Sequence, residues 1–532
     1  MKQFKIILAI SIFLSLSVIE AYADFDRFTK VEVGSLYYYL DNDNSLAELT
    51  YNKFWDGSYK GDIDIPSSFD YNNKRYNVTN IGVYAFYKCS DLTSINIPNS
   101  LTDIGDGAFA YCTSITSIYI PESVTTIGNY VFEGCSALSS IVVNEDNKVY
   151  DSRDNCNAII ISETNEMLRG CQNTIIPNGV ITISSAAFLY CTGLKYLSLP
   201  ESVTSIGIAA FKGCSDLANI IIPSSVTSIG SEAFEGCTSL SSVKIPDGVT
   251  TIEDYTFKNC NNLVSIEMPN SVNSIGIWAF AYCNTLASIS IPTGVSAILE
   301  YTFEGCKSLS SINLPNSITS IDKYAFQGCS CLTSISIPNS VLSIDEGAFW
   351  GCSSLSSITI PNNVKTIGAY LFYDCSNLSY ANIPNSVSSI EESSFEGCLH
   401  LTSIVVGNGI ESIGNNAFKT CPWLTDIYCY AENVPHTGSD LFAQSYIYYI
   451  TLHVSAESIN AYKAEYPWKD FGNIVALTDN DPSPTGIKSL KEDNYSYPVG
   501  TYSIDGKRLQ KERRGLNIIR MNDGKTIKRI VK

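Results

Sequence analysis

Apolar and polar residues alternate along most of this chain in a pattern that returns every 23 residues. In LTSINIP, Leu92 to Pro98, Ile95 and Ile97 alternate with Ser94 and Asn96, the period of two expected of a strand with one buried face. Proline ends the strand, since it has no N–H to give a ladder and fixes its own φ. NSLTDIG then predicts a turn and a brief second extended piece, and DGAFAYC sets Phe109 and Cys112 three apart, as one turn of helix would. Each unit reads as strand, turn, short extended piece and single helical turn.

Aligned on F-x-x-C pairs, the units place cysteines at 89, 112 and 135, then at every 23rd residue from 191 to 421, fourteen positions in all. Each cysteine has a phenylalanine three residues before it (Phe86 through Phe418) and an isoleucine eight before it (Ile81 through Ile413). Six apolar side chains per unit, at roughly 1.5–3 kcal/mol each when buried, do not offset the ordering of 23 residues at roughly 1–2 kcal/mol each. The units must therefore stack, giving a repeat solenoid with one parallel sheet of short strands, short helical turns and capped ends.

Stacking assigns the cysteine a small apolar place in a core column. Metal binding needs ligands converging on one point, and the three histidines, His400, His436 and His453, fit no ligand spacing. Equivalent side chains on stacked units sit about 4.8 Å apart, beyond the usual Cβ separation of about 3.8 Å in a disulfide. The column is expected to hold buried free thiols. Four cysteines lie off it: Cys156, Cys171, Cys331 and Cys429. A Cys156–Cys171 bridge stays open at this point.

The array is interrupted between Cys135 and Cys191. An insertion, 144–174, contains AIII, SETN and EMLRG, which predict a hairpin bulging from one edge. The array, 58–421, follows an N-terminal cap rich in Tyr and acidic residues, 24–57, and precedes a C-terminal cap, 422–478, in which the period fades. TDNDPSPTG begins a linker, 479–497, and a small β module occupies 498–532.

Charge separates this last module from the rest. Residues 486–532 hold 12 Lys/Arg and 5 Asp/Glu, a net of +7, which leaves −26 on the remainder of a chain of formal charge −19. An acidic array lacks the basic patch that nucleic acid or an anionic membrane surface needs. At the N-terminus, Lys2 and Lys5 precede a short apolar run and AYA, Ala21 to Ala23. This predicts a signal peptide, 1–23, cleaved after Ala23, and no membrane-spanning segment afterwards.

The unit LTSINIPNSLTDIGDGAFAYC, Leu92 to Cys112, is similar to the leucine-rich repeats of the BspA-like family of Bacteroidetes surface proteins. The resemblance covers roughly 58–430 and takes in YDSRDNCNAII and CYAENVP. It implies a leucine-rich-repeat, horseshoe-like α/β solenoid and a secreted or cell-surface protein, on the exterior of a bacterial outer membrane, that adheres to host or bacterial proteins or glycans. Where better-known leucine-rich repeats build an asparagine ladder, this chain has Ser, Gly or Asn two residues after proline. The tail resembles the sorting modules of exported Bacteroidetes proteins.

Catalysis needs unlike groups brought together, and the array repeats like groups in columns. The serines five after the cysteine, such as Ser94, Ser242 and Ser357, read as a solvated strand face. DNDNS, Asp41 to Ser45, resembles the start of a calcium loop, but Leu46 stands where glycine is needed and Tyr51 where glutamate is. No enzyme, cofactor or metal is expected. The candidate binding surface is an aromatic stripe: Tyr84, Tyr130, Tyr255, Trp278, Tyr301, Tyr324 and Tyr370, joined nearby by Trp350 and Tyr373. Such rings offer large contact area at low entropic cost. The expected partner is an extracellular protein or glycan; the alternatives are rings that merely shield backbone and a structural spacer of the cell envelope without its own ligand.

Overall fold

A computed structural model describes residues 29–52, 57–484, 498–503, 507–509, 515–521 and 526–531. The expected signal peptide, 1–23, and residues 485–497 of the expected linker lie outside the described residues. The chain forms two compact units that meet in sequence at Asn284 and Thr285.

The first unit opens with an antiparallel meander, Thr29–Val33, Leu36–Asp41 and Leu46–Thr50. Its last strand pairs in parallel with Lys74–Ile81, which leads on to Asp103–Ile104 and Thr126–Ile127. Local hairpin pairing thus hands over to pairing between repeats. From there each repeat carries two strand ladders at an offset of 23 residues. A longer ladder pairs Ser242–Lys244 with Ser265–Glu267, and a shorter one pairs Thr251–Ile252 with Ser274–Ile275. Because the offset equals the repeat, like stacks on like. Phe188, Phe211, Phe234, Phe257 and Phe280 form a column with centroids 5.1–5.6 Å apart. The serine face lies opposite: Ser94, Ser242 and Ser265 are exposed, as the alternation predicts.

The F-x-x-C segment makes a third ladder from a run of turns. The amides of Tyr84, Phe86 and Lys88 donate to the carbonyls of Asp106, Ala108 and Ala110 in the following repeat at 2.8–2.9 Å, whereas those of Ala85, Tyr87 and Cys89 close turns onto Gly82, Tyr84 and Phe86 at 3.0–3.1 Å. Alternate amides pointing along and across the stack need reversals of backbone hand. Every residue five before a lattice cysteine accordingly has φ of 52–60°, and every residue one before it has φ of 53–77°. Most of these residues are not glycine, and each such left-handed residue costs roughly 1–2 kcal/mol.

The cysteine does more than fill space. The Cys135 thiol donates to the Phe109 carbonyl at 3.1 Å, and the same carbonyl accepts the Cys112 amide at 3.1 Å. The bond recurs from Cys214, Cys237, Cys260 and Cys283 at 3.1–3.2 Å. The serine two after proline bonds in like manner: Ser100, Ser123, Ser225 and Ser271 donate to the preceding repeat at 2.6–2.9 Å, in place of an asparagine ladder.

Ala158–Ile161 and Glu166–Gly170 of the insertion form the expected hairpin, but it does not bulge from the edge: Glu166–Gly170 pairs in parallel with Thr182–Ile183. Ile159, Ile160 and Met167 are wholly buried, and burying them requires splicing the hairpin into the stack. Cys156 and Cys171 are buried free thiols, without a bridge.

In the second unit the same three ladders run from Ser288–Ser290 onward, and the longer one continues past Cys421 through Asp426–Cys429, Thr451–Val454 and Asn473–Ala476. The phenylalanine column reaches Phe442, where Trp468 and Phe471 close it edge-on at 6.1 and 5.3 Å. In this extra turn Ser445 stands in for cysteine and donates to the Phe418 carbonyl at 2.7 Å. A four-stranded antiparallel sheet, built on Pro498–Ser503 and Gly515–Met521, makes the C-terminal module.

Of the 18 cysteines only Cys331 is exposed. Burial pushes the Cys135 and Cys191 thiols up to about 12, and lifts Cys214, Cys237, Cys260, Cys329, Cys375 and Cys398 well above 9.0. The unfolded chain releases these protons near pH 9 and the folded chain holds them. Stability should be insensitive to the thiols below that pH and fall above it, by about 1.4 kcal/mol per unit per thiol. Urea unfolding between pH 8 and 11 measures the slope, and native alkylation should label Cys331 alone. Cys260→Ser, which keeps the donor as Ser445 does, should cost about 1 kcal/mol or less. Cys260→Val removes the donor and adds bulk, and should cost about 1–3 kcal/mol by the same measurement.

Candidate functional surface

Seven of the nine stripe residues occupy the left-handed position five before the cysteine. The ladder fixes their backbone, and the side chain is carried outward along the axis of the stack. Where the following repeat has glycine there, the ring lies over it: a Cβ on Gly107 would come within 2.3 Å of the Tyr84 ring, and one on Gly347 within 2.3 Å of the Tyr324 ring. Shielding of backbone is therefore one part of what these rings do. All nine keep an outer edge in solvent, and Tyr130 is the most open at 42%.

In the first unit, Tyr84 packs edge-on against Tyr87 at 5.3 Å. Tyr255 stacks on Trp278 at 6.3 Å, and the Lys258 ammonium sits 5.0 Å from the first ring and 4.4 Å from the second. The ring quadrupoles attract this cation. Tyr130 lies apart from this pair, at the mouth of a small cleft beside the insertion.

The second unit holds a cluster of five rings. Tyr301 stacks on Tyr324 at 5.1 Å, Tyr324 meets Trp350 at 6.2 Å, and Trp350 meets Tyr370 and Tyr373 at 5.5 and 4.7 Å. Five of the predicted rings thus form one continuous ridge. Carboxylates border it. The Tyr324 hydroxyl donates to Glu346, which also pairs with Lys323 at 2.9 Å. These bonds hold the Glu346 carboxyl below its usual range, while burial and then Glu346 hold the Tyr324 phenol above its own.

Three residues of these surfaces escape the aromatic pattern: Lys258, Glu346 and, in the cleft, Arg169. Lys258 had a signal in its spacing, three after Tyr255. The other two are placed by contacts between repeats. Among the described residues no group of three or more His, Cys, Asp or Glu is arranged to hold a metal ion. The His400 ring bonds the Ser376 carbonyl and His453 pairs with Asp426 at 3.0 Å.

The profile of the BspA type Leucine rich repeat region matches residues 67–168, 165–287, 250–371 and 342–465. No curated protein matches the sequence. Among solved structures, a leucine-rich repeat protein from Bacteroides ovatus is similar at 27% identity and a TM-score of 0.50, over 84% of this chain and 100% of that one. A leucine rich cell surface protein from Faecalibacterium prausnitzii is similar at 25% identity and a TM-score of 0.35, over 71% of this chain and 94% of its own. Matched over most of its length by that profile, this chain belongs to the BspA type leucine-rich repeat family.

Proposed function

We propose that this protein is a secreted or cell-surface binding protein without catalytic activity, which contacts host or bacterial proteins or glycans through its repeat surface. The observation that carries the reading is the ridge of Tyr301, Tyr324, Trp350, Tyr370 and Tyr373, five rings in contact and partly exposed on a backbone fixed by the turn ladder. Rigid aromatic groups bordered by carboxylates resemble the anchors that dominate binding energy in interfaces. The family, the leader-like segment 1–23 and the acidic array support an exported location, and no helix among the described residues is long and apolar enough to cross a membrane. The second reading, a spacer of the envelope, draws on the rings that cover Gly107 and Gly347.

Asparagine is the substitute of choice on the stripe, because Asn416 occupies the same position at φ 56°. A chain carrying Tyr324→Asn, Trp350→Ser and Tyr370→Asn should keep its melting temperature within about 2–4 °C, the shift that about 1 kcal/mol produces. It should lose about tenfold or more in affinity for whichever matrix protein, mucin or bacterial cell captures the native chain, as removal of one or two anchors does. The same loss from Tyr255→Asn with Trp278→Asn would move the site to the first unit. Full binding by both variants would remove the stripe from recognition. A native chain that binds none of these targets, yet whose shortening by whole repeats alters only reach, would be a spacer.

A further inference from the structure

The interruption between Cys135 and Cys191 leaves hydrogen-bond donors without acceptors. In an uninterrupted repeat the amides five and three before the cysteine donate to the next repeat, as Tyr84 and Phe86 do. At the interruption the Gly170 amide takes the Ala187 carbonyl at 2.9 Å, which is the acceptor due to Phe132. The Tyr130 and Phe132 amides find no acceptor among the described residues. Gly170 cannot be larger, since a Cβ there would lie 2.2 Å from the Phe188 ring.

Arg169 enters the same place. Its side chain is buried, with the residue 4% exposed. It donates through Nη1 to the Leu168 and Ser185 carbonyls at 2.6 and 3.4 Å, and through Nη2 to the Gly128 carbonyl at 3.2 Å. Its Nε is buried without a partner, and among the described residues no carboxylate forms an ion pair with it, although those of Asp106 and Glu166 lie near enough to favour its charge. Burial pushes the guanidinium down to about 10, so it stays charged at neutral pH. Tyr130, Phe132, Glu133, Arg169, Ala186 and Phe188 line one small cleft, with room for a single small occupant. The Glu133 carboxylate at its edge accepts the Tyr111 hydroxyl at 2.6 Å.

A buried cation normally has a counter-charge, and backbone amides beside left-handed residues such as Tyr130 form anion-binding concavities. Water accepts two hydrogen bonds and neutralises nothing. We infer that the cleft beside the insertion binds one small monovalent anion of halide size, held by Arg169 and the amides of Tyr130 and Phe132. Sulfate and phosphate are too large for the space. The ion would complete at the interruption the pairing that the turn ladder completes elsewhere.

Thermal unfolding at fixed ionic strength, in sodium chloride against sodium gluconate, tests this with chloride alone as the probe. The native chain should melt about 1–2 °C or more higher in chloride, with a saturable dependence, and Arg169→Met should lose that difference whatever its own melting temperature. An equal chloride effect in both chains would overturn the site. Should the variant fail to fold, crystals of the native chain soaked in bromide decide: an anomalous peak beside Arg169 is expected, and a water only, or no peak, would overturn the proposal.

Discussion

The bond on which the stack depends runs from a cysteine thiol to the phenylalanine carbonyl of the preceding turn. That oxygen also accepts an amide from its own turn, as Phe109 accepts from Cys112 and Cys135. Both lone pairs are used inside the core, where an unmade bond costs most. The donor must be short and nearly apolar and must reach back one repeat, which a thiol or the Ser445 hydroxyl can do and an alanine cannot. Its geometry also fixes the repeat length. One residue more or less would move the thiol off the carbonyl and shift all three ladders together, and outside the one insertion the spacing stays at 23 through the lattice.

The same ladder decides what the surface can be. Alternate amides of the turn point along the stack, so the residue five before each cysteine must be left-handed, and its side chain leaves the turn toward the following repeat. A large ring there covers backbone and keeps one edge in solvent. Shielding and display are therefore two faces of one geometry. The strain of a non-glycine residue in this region is met by the hydrogen bonds on either side of it.

Much of this is legible in the residues. Alternation in LTSINIP gave the strand and its exposed serine face, proline gave its end, and the 23-residue return gave the columns of Phe and Cys. The thiol's role as donor was not legible, because spacing shows that a residue is buried and not which atom it meets. The hand of the turn was hidden for a related reason: tyrosine and tryptophan carry none of the usual signal for positive φ, which glycine, asparagine and aspartate supply. The hairpin AIII–SETN–EMLRG was visible, but its splicing into the stack depends on a pairing between Glu166 and Thr182 that no local pattern encodes. Arg169 shares that invisibility. Tyr301, Tyr324 and Tyr370 could be read as a row, yet Trp350 joins them only because a ring two before its cysteine reaches the rings five before the cysteines on either side, and Tyr373 joins through Trp350 and Tyr370.

Stability in such an array is a sum over neighbouring turns, and this separates what must be constant from what is free to vary. Phenylalanine, cysteine and isoleucine are fixed in every lattice repeat because each meets its own kind in a neighbouring repeat. The residue five before the cysteine is held only in φ, and the chain places Tyr, Trp, Gly, Ala, Glu, Ser and Asn there. Variation at that place changes which chemical group faces outward without disturbing a ladder, and the cost of each change is confined to one interface between turns. A lane of freely chosen side chains on a backbone of fixed hand is where recognition can be rewritten at least expense to folding, and the clustering of rings from Tyr301 to Tyr373 is one setting of that lane.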